Sequence, residues 1–465
     1  MMNRIAYVAA SLCLSAFVLV SCTDDGDADG ESGGADESSS GDSASTMSTT
    51  ISTTMTTADP TSPGCIPGSE DCGCLDGDCV GSLQCVEEVC KPGPAFEPDV
   101  DEARSVLGGL VVPVVVDVVA DEFSWSQTAG PAVQWEGEGG SIQVQVPPDA
   151  AVGEVITLRI TAVRNTIEST FDYEIGVREP VFEDVLGAVT DLAELGTSVG
   201  LDFDNNGNMW VSSSEGFISR FAIDGAFQSR YELSGAAGIR WGSLYLPDSD
   251  DDINVLYVAQ TGPGAISAYN PASDSFTTIT DALEDTTALG PLEVVLPSDG
   301  NLFAIDPDGG RILQYDDEDA TTRVLSSAVS NPAVLSFGPD ANVLYVGGVG
   351  SVWRVGLLQD GTASEPELYV EFGDAADPTQ EVGGLAFDEG GNLWIGVPQA
   401  SALHLAHYSA TGATETVRSF TAVGAGYSAF ANLRYGNGDF SDSAVYWTNG
   451  SDRTVARIET GLRRL

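Results

Sequence analysis

Six times in its last three-fifths the sequence repeats one unit, two short apolar strands around a polar turn with an aromatic residue in the second strand. The clearest copy is residues 384–395, GLAFDEGGNLWI; residues 200–211 (GLDFDNNGNMWV) and 292–304 (LEVVLPSDGNLFA) repeat it. More degenerate copies at 243–258, 333–346 and 429–447 carry Leu256-Tyr257-Val258, Leu344-Tyr345-Val346 and Val445-Tyr446-Trp447. The anchors Trp210, Tyr257, Phe303, Tyr345, Trp394 and Tyr446 lie 47, 46, 42, 49 and 52 residues apart. A period of that length accommodates four strands, and a sheet with two apolar faces is buried only by stacking against copies of itself, which is the logic of a β-propeller blade. A third strand follows each anchor, at 217–221, 265–269, 311–315, 351–355, 403–408 and 454–458. Few residues follow the last of these, so the missing outer strand is expected from the N-terminal side, within residues 183–195. Closing the ring in that way removes two open sheet edges. The expected fold class is all-β: a six-bladed propeller over 181–465, preceded by a small β-sandwich, a disulfide-rich module and a tether.

Charge narrows the partners. Seventy acidic residues against 18 basic ones give the 465-residue chain a formal charge of −52, and every basic residue except Lys91 is Arg. Nucleic acid requires a basic surface that releases counterions, so it is not an expected partner.

The N-terminus reads as an address. Arg4 precedes an apolar run at 5–20 that ends in Leu19-Val20-Ser21-Cys22. One positive charge, a short apolar core and a small residue before the cut describe a secretory signal over 1–21, too short to span a bilayer. The last four residues resemble the lipobox of bacterial lipoproteins. That resemblance implies cleavage before Cys22, acylation of the cysteine, and anchoring in the lipid bilayer of the cell envelope, with the outer membrane as the expected address. Residues 22–64 are Asp, Gly, Ser, Thr and Ala with three large apolar residues beyond the acylated cysteine, Met47, Ile51 and Met55. Such a segment buries too little to offset its ordering entropy and reads as a flexible tether reaching about 35 Å.

Cys65, Cys72, Cys74, Cys79, Cys85 and Cys90 crowd the next 26 residues. An even count at this density behind a secretory signal means disulfides within a 65–95 module; zinc is disfavoured because no paired C-x-x-C spacing occurs and no His lies nearby. The segment resembles small cysteine-rich modules of myxobacterial-type lipoproteins. From 96 to 180 the chain alternates apolar and polar residues in short runs, as in Ser141-Ile142-Gln143-Val144-Gln145-Val146, with turn residues between, which argues a small sandwich. Trp125-Ser126-Gln127-Thr128-Ala129-Gly130-Pro131-Ala132-Val133 resembles the W-x-Q-x-x-G-P-x-V signature of PKD and REJ-type immunoglobulin-like domains, which implies a spacer with Trp125 in its core.

The blades resemble NHL repeats and the SMP-30/gluconolactonase and streptogramin-lyase propellers. Three chemistries follow for weighing. The two histidines, His404 and His407, sit on one strand and no G-x-S-x-G occurs, so a Ser-His triad is not expected. Residues 202–207 match the first half of an EF-hand loop, but the twelfth position is Ser213 instead of Glu, and the same turn recurs at 388–392; it reads as turn chemistry. The resemblance to SMP-30 implies a divalent cation held by inner-strand Glu, Asn and Asp, yet the opening Glu-Gly-Pro is missing and residues 290–293 are a displaced echo. No cofactor is therefore expected. The leading reading is a non-enzymatic lipoprotein presenting its propeller to a protein or carbohydrate; the alternative is a metal-dependent hydrolase or lactonase. Any ligand is expected at the channel mouth formed by blade-to-blade connections, with Arg240, Trp241, Glu381 and Tyr427 as the anchoring side chains. The first test concerns the address: Cys22→Ala should move the protein from the membrane to the soluble fraction, and a variant that still sediments with membranes refutes lipidation.

Overall fold

The computed structural model describes residues 103–186 and most of 198–465, with positions 72, 79, 83–86 and 89–94 before them. Cys22, Cys65 and Cys74 lie outside the described residues. Among those described, regular structure is strands and one 3-10 turn, Pro378–Gln380, and no helix is long and apolar enough to cross a membrane.

Six four-stranded antiparallel sheets form the blades. Their innermost strands are Ser198–Phe203, Ala236–Leu246, Leu292–Val294, Val334–Phe337, Gly384–Phe387 and Ala431–Tyr435 for blades 1 to 6. Each inner strand touches the next, and blade 6 touches blade 1, so the ring is closed. Every anchor lies on the second strand of its blade, and its immediate neighbours along that strand alternate between the two faces. Met209 and Val211 join the core with blade 6 while Trp210 joins the core with blade 2. The second-blade unit begins earlier than its sequence suggests, because its inner strand runs back from the copy at 243 to Ala236.

Closure comes from Phe182–Asp184, the outer strand of blade 6, paired antiparallel to Thr454–Glu459 with Phe182 opposite Ile458 and Glu183 opposite Arg457. It overlaps the N-terminal edge of the stretch expected from sequence. Phe182 packs on Phe430 and Trp447, and Arg457 reaches Glu183 at 2.6 Å.

Ahead of the ring is a sandwich. One sheet orders Ala103–Leu107, Ile167–Arg178, Val155–Arg164 and Glu122–Ala129; the other orders Val111–Val115, Ser141–Gln145 and Gln134–Glu138. The expected alternation is visible in Val155–Arg164, whose Ile156, Leu158, Ile160 and Ala162 are buried. Pro113, which has no N–H to donate, sits on a strand at the edge of its sheet. Gln127 organises the Gly-Pro turn: its Nε2 donates to the Pro131 carbonyl at 2.6 Å and its Oε1 accepts from Val133 N at 3.2 Å. Trp125 is half-buried instead of sealed in the core, its indole donating to the Gly139 carbonyl. Before the sandwich, Leu83–Val86 and Val89–Pro92 make a hairpin, Cys79 is bonded to Cys90, and Cys72 and Cys85 are also in disulfides.

Sandwich and propeller share one core. Val106, Leu107 and Leu110 belong to the same apolar cluster as Trp394, Leu405 and Trp447. The contact is read by backbone groups. Asn392 in the first turn of blade 5 accepts from Val111 N at 2.8 Å and donates to Val111 O at 2.9 Å. A Cβ on Gly390 would lie 2.0 Å from that same carbonyl, so this turn admits the sandwich only with glycine there. Arg104 pairs with Glu389, Arg418 donates to Gly108 O, and Leu107 N donates to Thr460 O. Because the closing strand is three residues long, a single break should open it. Glu183→Pro removes a ladder donor and the Arg457 partner, exposing the edge at 454–459; the expected outcome is oligomerisation in sizing chromatography and a lowered melting temperature.

Candidate functional site

The register places one residue of each inner strand directly opposite the aromatic anchor. Going round the ring these are Asp202, Arg240, Glu293, Ser336, Ala386 and Arg434. Asp202, Arg240, Ser336, Ala386 and Arg434 line one cavity of about 370 Å³, and the side chain of Glu293 lies outside the described residues. That volume falls at the lower end of the range that holds a small organic ligand. The cavity lies where the inner strands end and turn into the second strands, with Phe337, Gly338, Pro339 and Ala341 of blade 4 and Asn437 of blade 6 on its rim. Arg464 and Leu465 border it too, held by Leu465 N on the Phe387 carbonyl.

This is the end opposite to the one expected from sequence, and the four proposed anchors part company. Arg240 lies on an inner strand, not on a connection, and lines the cavity. Trp241, next along the same strand, turns to the other side and packs edge-on against Trp210 between blades 1 and 2, at 5.5 Å. Strand alternation is the reason: neighbours cannot serve the same side. Glu381 is exposed, three residues before the inner strand of blade 5 starts, so it stands at the far end of that strand from Phe387. Tyr427 lies outside the described residues. Sequence reasoning does not single out Asp202, Ser336, Ala386 or Arg434, because the turn between inner strand and anchor differs in length from blade to blade.

Among the described lining residues, Arg240, Arg434 and Arg464 face one carboxylate, Asp202. That carboxylate is already engaged: it accepts from Trp241 N at 2.7 Å and from Phe203 N at 2.9 Å, and lies 3.4 Å from the Arg240 guanidinium. Arg434 is nearly buried and donates to the Leu433 carbonyl. The blade 4 and 5 side supplies Ser336 and Ala386, whose small side chains leave the volume open.

The acidic turns are structural. Asp204 accepts from the backbone N–H of Asn206 and Asn208, from the Asn208 amide at 2.8 Å and from the Trp210 indole at 2.9 Å. Asp388 repeats this with Gly390 N, Asn392 N, the Asn392 amide and the Trp394 indole. Both copies spell D-x-x-G-N-x-W, and in each the carboxylate fastens the turn to the anchor. No group of three or more His, Cys, Asp and Glu suited to a metal ion occurs among the described residues. The histidines go to separate neighbours, His404 Nδ1 to Ser419 Oγ at 2.7 Å and His407 Nε2 to Gln145 of the sandwich at 3.1 Å.

No family model and no curated protein sequence matches the chain. Solved structures similar to it include a putative gluconolactonase, 16% identical over 62% of this chain and 94% of that one, with a TM-score of 0.46. An auxiliary nutrient binding protein from Bacteroides thetaiotaomicron is 14% identical over 77% of this chain and 98% of that one, TM-score 0.46. A calcium-binding regucalcin from Agrobacterium tumefaciens is 15% identical over 61% and 96%, TM-score 0.47.

Complete burial pushes the Asp388 carboxyl up to about 7, against the four donors that favour its charged form. An acid whose folded pKa is raised contributes stability that is fully present below its unfolded value and is lost as pH rises through the folded one. The unfolding free energy should therefore fall between the ordinary carboxylate range and pH 7, by up to about 1.4 kcal/mol per pH unit, and the melting temperature with it. Asp388→Asn should melt lower at acid pH and show a shallower slope; an unchanged slope assigns the pH dependence to other groups.

Proposed function

We propose that the protein is an envelope-anchored binding module that takes a ligand at the turn end of its propeller channel. The observation that carries this reading is the cavity of about 370 Å³ lined by Asp202, Arg240, Ser336, Ala386 and Arg434, inner-strand positions that face the anchors. A ring of equivalent positions filled with unlike residues, two guanidiniums, a carboxylate, a hydroxyl and a methyl, is what recognition needs and what blade stacking alone does not. Acylation at Cys22, attachment to the outer membrane and a protein or carbohydrate carrying the ligand group extend the proposal. Their support is the Leu19-Val20-Ser21-Cys22 junction and the acidic tether behind it.

The reading against which this one is set is a metal-dependent hydrolase or lactonase, because a putative gluconolactonase and a regucalcin share the propeller fold. A divalent cation at the described cavity would have Asp202, Ser336 and Asn437 as oxygen donors. Asp202 is held by two backbone N–H groups, and among the described side chains Arg240 and Arg434 stand at the same level of the ring; a hard dication is repelled by those two guanidiniums. The described residues do not fit the metal, and no reaction step is derived through it.

A screen of small metabolites by thermal shift decides between the two. Ligands should stabilise the native protein and lose their effect in Ala341→Trp, which puts a large ring on the exposed cavity rim, or in Ala386→Leu, which fills the interior. Native-like melting of the unliganded variants shows that the fold survives. Turnover of a lactone that appears with added Ca²⁺ or Mn²⁺ and disappears with chelator would replace the binding reading with the hydrolase.

A further inference from the structure

We infer that residues 463–465 are a strap over the blade 5 and 6 side of the cavity mouth, and that a ligand enters when the tip of the strap, Arg464 and Leu465, lifts from the blades. Access to the cavity is the property at stake, and access is measured without a ligand.

The place of the lining residues in the fold is the first argument. Every described lining residue except Arg464 and Leu465 belongs to an inner strand or to the turn that follows it, and so is held on both sides by a paired strand. Those turns are also fastened from within. In blade 4 Val343 N donates to the Asp340 carbonyl, and in blade 6 the Asn437 amide reaches Asn205 Oδ1 of blade 1 at 2.6 Å. Arg464 and Leu465 come after the last strand of blade 6 and share neither support.

Attachment along the strap is the second. Its root is fixed: Thr460 and Leu462 are fully buried, Thr460 O accepts from Leu107 N of the sandwich, and Gly461 lies under the Ser105 carbonyl. Arg463 is tied to one residue of the blade 5 turn, since Glu389 donates its N–H to Arg463 O at 2.9 Å and accepts from Arg463 N at 3.2 Å. The tip has two backbone bonds among the described residues, Arg464 N to Asp442 O at 2.8 Å and Leu465 N to Phe387 O at 3.5 Å. The second is at the outer limit for a hydrogen bond. Exposure climbs from 0% at Leu462 to 53% at Leu465. Few bonds and little burial are the marks of a segment that opens at the low-stability end of a fold. Inside, Ser336 is 7% exposed and Ala386 6%, although both line about 370 Å³ of space. A site so shielded exchanges its contents through a moving part, and the strap is the part of the described mouth that is least held.

Alkylation of an introduced thiol by iodoacetamide tests this on the full chain. Ser336→Cys puts the thiol inside the cavity, and Ala341→Cys puts it on the exposed rim as a control. Each is compared with and without Arg464→Pro and Leu465→Pro together, which remove the two N–H donors of the tip. Detaching the tip should speed alkylation at position 336 about tenfold, the effect of losing one to two backbone hydrogen bonds of ordinary net strength, and leave position 341 unchanged. Hydrogen exchange on the unaltered chain gives a second reading: the amides of 464 and 465 should exchange far ahead of those in Ala431–Tyr435. Equal alkylation at position 336 with and without the prolines, in variants that melt alike, overturns the strap. Protection at 464 and 465 equal to that of the inner strand overturns it too, and decides alone if the proline variant melts lower. Either result leaves the binding reading to the metabolite screen.

Discussion

The pairing of Phe182–Asp184 with Thr454–Glu459 completes the last blade and with it the ring. Six blades touching through their inner strands enclose a channel only while the ring is shut, and the cavity draws on five of those blades at once. Three residues of strand supply few hydrogen bonds, and each intramolecular bond contributes on the order of 1 kcal/mol net. Packing does most of the fastening: Phe182 lies against both Phe430 and Trp447, and Trp447 lies in the core shared with the sandwich. The last sandwich strand ends at Arg178, leaving residues 179–181 before the closing strand begins. The same pairing that shuts the ring thus fixes where the sandwich leaves it.

One repeated turn serves two purposes through a single residue. In blades 1 and 5 the D-x-x-G-N-x-W sequence folds alike, with the aspartate fastening backbone, asparagine and indole. In blade 5 the asparagine also clasps the Val111 peptide of the sandwich, and the backbone approach requires Gly390. In blade 1 the matching position is Asn206, whose Cβ would occupy the place that the Val111 carbonyl takes on blade 5. The conserved geometry of the turn comes from its aspartate; its capacity to hold another domain comes from the absence of a Cβ two residues later.

The blade count, the third strands and the source of the closing strand were all legible, because each follows from short-range alternation repeated at a steady interval. The acidic turns were legible as turn chemistry for the same reason: a metal loop would not recur at the same place relative to two different anchors. The cavity was not. Its position depends on Ser336 and Ala386 being small where other blades carry charged residues, a contrast that appears only when the six inner strands are aligned by register. Arg240 was singled out for its residue type and does line the cavity, but the strand was read as a connection, so its neighbour Trp241 was grouped with it although alternation sends the two side chains apart. Glu381 lies on a blade-to-blade connection, whereas the cavity forms at the opposite ends of the strands.

That opposite end is also the one on which the sandwich sits, and the two are joined by one stretch of chain. Thr460 O accepts from Leu107 N of the sandwich, and Gly461 permits Ser105 O to approach where a Cβ would lie 1.9 Å away. Three residues on, Arg463 O accepts from Glu389 N, the residue whose side chain pairs with Arg104; Arg464 and Leu465 then border the cavity. Residues 460–465 therefore touch the docked domain at one end and the site at the other. A shift of the sandwich strand Ala103–Leu107 would have to be absorbed by Gly461 or passed to Arg464, and Gly461 is already committed to a left-handed φ of 84° beneath the Ser105 carbonyl. The docked position of the sandwich therefore helps to set the stretch of chain that borders the cavity.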